Sequence, residues 1–151
     1  MRFIAIAALL IAFNASAVEF VTKTFKHTDS GIDGFSRNYY NCDWAEKTVE
    51  SHLEKLGASN VSVNCTGGIE HDISWGMWPV SIVAKFDVPA DRTMTENVVL
   101  KSSNRADSAC YFHTKLLNKL LATLDHVTVN SKKTNCMDNS SRWSYDLSVA
   151  Q

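Results

Sequence analysis

Between Asp43 and Leu56 the apolar positions Ala45, Val49, Leu53 and Leu56 recur at steps of four, four and three residues. That is the spacing of one helical face, so the segment predicts an amphipathic helix. Asp43 with Glu46 three residues later suits a capping box, and Gly57 stands where such a helix would stop. A second helix is predicted over Ala109 to Leu124, where Phe112, Leu116, Leu117, Leu120, Leu121 and Leu124 form a broader stripe behind a candidate cap at Ser108. After each helix the period changes to two. Val61, Val63 and Cys65 alternate with Ser62 and Asn64, and Val127 and Val129 alternate with Thr128 and Asn130, the pattern of half-buried strands.

The two halves carry the same sequence of patterns. Val49, Leu53 and Leu56 match Leu117, Leu121 and Leu124 at an offset of 68, which Cys42 and Cys110 share. Asn60 to Asn64 resembles His126 to Asn130 at an offset of 66, and Trp78, Val80, Ile82 and Ala84 match Trp143, Tyr145, Leu147 and Val149 at 65. Phe20 to Phe25 and Asn97 to Lys101 supply a weaker strand before each helix. The reading is an α+β fold of two β-α-β-β repeats, about 18–88 and 95–151, with the helices on one face of a single, mostly antiparallel sheet of about six strands.

The first 17 residues change where this domain is expected to work. Arg2, the apolar run Phe3 to Phe13, and small residues at Ala15 and Ala17 read as a secretory signal peptide, leaving 18–151 as one domain. Its apolar run falls well short of the roughly 20 residues a membrane-crossing helix needs, so no stable anchor is expected. The expected localisation is secreted or periplasmic. In that compartment the four cysteines read as disulfides, and their intervals of 23, 45 and 26 residues fit no metal signature. Cys42 and Cys110 each stand at a helix start, while Cys65 and Cys136 each follow the next strand. The repeat therefore pairs Cys42 with Cys65 and Cys110 with Cys136.

The 151 residues are 45% hydrophobic, enough for one core, and carry 15 basic against 16 acidic side chains without long like-charged blocks. No footprint for nucleic acid is present. The most unusual stretch is the first hairpin loop, Thr66 to Pro79, which gathers Trp75, Met77 and Trp78 beside Glu70, His71 and Asp72. Large apolar side chains on a loop suit a partner that buries them, although the same rings also serve as a lid on the core. Glu70-His71-Asp72 offers acid-base or metal chemistry, but adjacent residues rarely converge on one point. His27, His52, His113 and His126 read as surface or cap residues. Asp29, Asp33 and Gly34 begin like a calcium loop, but Gly31 and Tyr40 fall where ligands are required. Asn60, Asn64 and Asn139 match the glycosylation pattern.

Alternation assigns Asn60, Ser62, Asn64, Ser81, Lys85, Thr128, Asn130, Ser144, Asp146 and Ser148 to a polar sheet face turned from the helices. Glu46, Glu50 and Glu54 form an acidic ridge on the first helix. No nucleophile elbow or nucleotide loop is present, and neither a cofactor nor a metal is expected. The functional expectation is an exported, disulfide-stabilised binding protein that recognises a protein or a small apolar ligand through Trp75, Met77, Trp78 and His71. The alternatives are a small secreted hydrolase or metal-dependent enzyme using Glu70-His71-Asp72, or an envelope structural component.

Overall fold

The computed structural model describes residues 19–29, 41–68, 78–92, 94–102, 109–136 and 141–151. Their order is β1 (Phe20–Asp29), α1 (Cys42–Lys55), β2 (Ser59–Gly68), β3 (Trp78–Pro89), β4 (Thr95–Lys101), α2 (Cys110–Leu121), β5 (Val127–Asn135) and β6 (Arg142–Ala150). Among the described residues the fold is α+β, with two helices and six antiparallel strands.

The strands form two three-stranded sheets, ordered β1-β3-β2 and β4-β6-β5, and not the single sheet expected from the sequence. In each half the last strand takes the middle and is paired on both sides. Two of the four edges, β2 and β5, are poor joints. β2 shifts register between Ser59 and Ser62 and again between Thr66 and Gly68; β5 shifts between Val129 and Ser131 and then carries Lys132 and Lys133. Irregularities and lysines of this kind turn an edge away from further pairing. The halves meet through their interior instead, with α1 against β2 and β3, and α2 against β5, β6 and also β1 of the other sheet.

The helical stripe does what its spacing predicts: Ala45, Val49, Leu53 and Leu56 are fully buried. The helix begins two residues earlier than the capping-box reading requires. Asn41 is the N-cap, and its side chain accepts from the Trp44 amide at 2.8 Å. Glu46 is thereby released from capping and its Oε1 accepts from the Cys65 amide at 2.7 Å, so this member of the acidic ridge ties α1 to β2. Gly57, at φ +81°, ends the helix. Its amide donates to the Glu54 carbonyl and that of Ala58 to the Leu53 carbonyl, both at 3.0 Å, the paired bonds of a Schellman stop. α2 is shorter than its apolar pattern, ending at Leu121, and its N-cap Ala109 makes no side-chain cap bond. Ser108 lies outside the described residues.

Both disulfides stay within one half: Cys42–Cys65, with Cα atoms 5.3 Å apart, and Cys110–Cys136, at 5.4 Å. The first ties the opening turn of α1 to β2, and the second ties that of α2 to the residue just beyond the end of β5. In the chain-entropy account each such loop contributes about 3 kcal/mol. Denaturant unfolding with and without reductant is therefore expected to show a lower midpoint for the reduced protein; an unchanged midpoint would mean that the bridges do not constrain the unfolded chain.

Candidate functional site

Three of the histidines read as surface or cap residues are buried, His27 and His126 at 5% exposure and His52 at 7%, and of these His126 does serve as a cap. Strand parity explains the first, because His27 continues the inward alternation Phe25, His27, Asp29 between exposed Lys26 and Thr28. Helical phase explains His52, seven residues after Ala45 and three after Val49 on the buried stripe. His126 Nε2 donates to the Leu56 carbonyl at 3.1 Å, satisfying an orphan group at the end of α1 with a side chain from the other half.

His52 and His113 meet at the contact between the helices. His52 Nε2 lies 3.5 Å from His113 Nδ1, and the ring centroids are 5.7 Å apart. Indole rings enclose the pair: Trp143 is 4.9 Å from His113 and 5.9 Å from His52, and Trp44 is 5.3 Å from His113. Phe112 continues the seam, 5.2 Å from Trp44 and 6.0 Å from His27. Burial pushes the His52 imidazolium down to about 3, with the neighbouring His113 and then Lys55 adding to the effect. His52 is thus neutral at physiological pH, able to hydrogen-bond through one nitrogen and accept through the other.

A cavity of about 440 Å³ opens onto this seam, lined by Trp44, Thr48, His52, Lys101, His113 and Trp143 among others. Through Lys101, Ser102 and Trp143 it adjoins a groove of about 690 Å³ on strands β4, β5 and β6. Both volumes are of the size small molecules occupy. Tyr145 anchors the wall behind them, its hydroxyl donating to Asn118 Oδ1 at 3.0 Å, and burial raises its ionisation to about 12. A third cavity, of about 600 Å³, lies at the end of β1 beside α2. There the buried Asp29 carboxylate lies 3.3 Å from Lys115 Nζ and 3.9 Å from His27 Nε2, an ion pair that ties β1 to α2.

Glu70, His71, Asp72, Trp75 and Met77 lie outside the described residues, as do Gly31, Asp33, Gly34 and Tyr40 of the calcium pattern and Asn139. Trp78 is the first residue of β3, paired in register with Gly68 of β2. The base of the hairpin is thus fixed: the Cys42 sulfur lies 3.3 Å from the Gly67 carbonyl oxygen, two residues before Trp44 in the chain. Asn60 Nδ2 donates to Asp87 Oδ2 at 2.9 Å, and Asn64 is exposed. Among the described residues no group of three His, Cys, Asp or Glu side chains is placed to hold a metal ion, and no helix is long and apolar enough to cross a membrane. The His52–His113 seam was missed by the sequence reading, although the phase of His52 on its helix carried the signal.

No protein-family model, curated protein or solved structure matches the chain.

Proposed function

We propose that the chain is an exported, disulfide-stabilised binding protein, built by duplication of a β-α-β-β unit, that takes a protein segment or a small apolar ligand at the first hairpin loop and the aromatic cavity beside its base. The duplication is supported by the shared strand order of the two sheets and by the equivalent disulfides. Export is supported by the leader pattern and by a chain whose described cysteines are all bridged.

The observation that carries the binding reading is the cavity walled by Trp44, His52, His113 and Trp143. Its walls stand on helices and a strand held by the core, which gives an aromatic pocket a fixed shape and lowers the entropic cost of filling it. β2 ends beside the bridge that tethers α1, and Trp75 and Met77, further along the chain, carry the same apolar chemistry as the cavity. His71 is a polar contact in this reading and not a catalyst.

Affinity capture from the native exported fraction, with oxidised protein, separates the readings. Wild type and His71→Ala are expected to retain the same partner and Trp75→Ala/Met77→Ala to lose it. Retention by the double variant together with loss in His71→Ala would favour the hydrolase alternative.

A further inference from the structure

The outer face of the second sheet carries a cluster of positive charge that neither the core nor the hairpin explains. Lys101 on β4 and Lys133 on β5 both take Ser144 of β6 as their register partner. The three residues therefore form one row across the sheet, with the lysine Cα atoms on the order of 10 Å apart and their side chains on the same face. Arg142 is two residues before Ser144 on β6, again on that face. All four line the groove of about 690 Å³, together with Thr134 and Asn135, and no acidic side chain among the described residues lines it.

Lys101 and Lys133 are exposed, and neither has a hydrogen bond or ion pair among the described residues. The other lysine of this groove is engaged elsewhere: Lys132 Nζ donates to Asn118 Oδ1 at 2.8 Å and lies 5.5 Å over the Tyr145 ring. The nearest carboxylate along β6, Asp146, is flanked by Val99 and Ser131 and not by the lysines. Like charges converging on one row repel each other, at a cost that an anion seated between them removes. Such concentration in a chain with a net charge of -1 is local, which argues against an extended polyanion.

We infer that this groove binds a small phosphate monoester. Lys101, Lys133 and Arg142 hold the phosphoryl oxygens above the Ser144 hydroxyl, and Thr134 and Asn135 offer hydrogen bonds to a polar body of about sugar size. Charge-assisted bonds from several donors suit a dianionic tetrahedral group better than a carboxylate. The inference does not rest on the hairpin loop, so Trp75→Ala/Met77→Ala leaves it unchanged.

Calorimetric titration tests it with glucose 6-phosphate as the probe, glucose as the uncharged control, and vesicles of phosphatidic acid or phosphatidylcholine as the membrane-borne comparison. Glucose 6-phosphate is expected to bind wild type, more weakly as salt is added, and about tenfold or more weakly in Lys101→Gln/Lys133→Gln. Lys26→Gln/Lys85→Gln removes the same charge from the outer face of the first sheet and is expected to bind as wild type does. Thermal melts of both variants confirm that these exposed substitutions leave the fold intact. Absence of binding by wild type, equal weakening in both variants, equal binding of glucose, or binding confined to phosphatidic acid vesicles would each overturn the inference.

Discussion

Replacing Phe112 with alanine is expected to lower the free energy of unfolding by about 4 kcal/mol, a large share of the roughly 5–15 kcal/mol available to a domain. Phe112, on α2 of the second half, is 1% exposed and packs against the first half through Trp44 on α1 and His27 on β1. Its removal leaves a cavity between the two helices where, among the described residues, no strand pairing holds the sheets together. The loss should also be non-additive with Trp44→Ala, by about 1 kcal/mol, because each ring is the other's partner. Denaturant unfolding of the two single variants and the double variant checks both numbers. A cost below about 1 kcal/mol, or strict additivity, would mean that the halves do not share this seam.

Acid is expected to produce the second large effect. His52 is held neutral by burial, its ionisation lowered from 6.5 to about 3, and burial also lowers His27 and His126. Above pH 6.5 neither the folded nor the unfolded chain protonates His52, and the group contributes no pH dependence. As pH falls from 6.5 towards 3, the unfolded chain takes up a proton that the folded chain refuses, so stability falls. At pH 4 the loss from His52 alone is about 3 kcal/mol relative to pH 8. His27 and His126 add to it in the same direction. Asp125 acts lower and weakly: its hydrogen bond from Lys23, with that from Arg92, holds it at about 2, but the carboxylate is exposed. Urea unfolding between pH 8 and pH 4 should show the decline, and His52→Phe should flatten it. A wild-type profile flat through this range would contradict the neutral, buried imidazole.

Much of the fold was legible because it follows from periodicity. Ala45, Val49, Leu53 and Leu56 give the buried face of α1 without reference to anything distant, and the shared offset of Cys42 and Cys110 orders the disulfides. The division into two sheets was not legible. Alternation along β2 and β5 states which side chains face inward, and it is silent on which edges meet. The register shifts at Ser59/Ser62 and Val129/Ser131, which make two of the four edges irregular, arise from local backbone geometry that alternation does not encode. The histidines show a different failure. His27 and His52 occupy inward positions by parity and by phase, but their polarity suggested the surface; burial is tolerated because the imidazoles remain neutral among aromatic rings. The lysine row has a third cause. Lys101 and Lys133 are separated by 32 positions, and only the pairing of β4 and β5 on either side of Ser144 brings them together.

Side-chain footprinting by hydroxyl radicals tests the binding account most directly, using the oxidised wild-type protein alone and after incubation with the native exported fraction. The account predicts that oxidation of Trp75, Met77 and Trp44 falls together when a partner is engaged, while exposed Met94 reacts equally in both samples. Unchanged oxidation of all three loop and pocket residues in the presence of the exported fraction would contradict it.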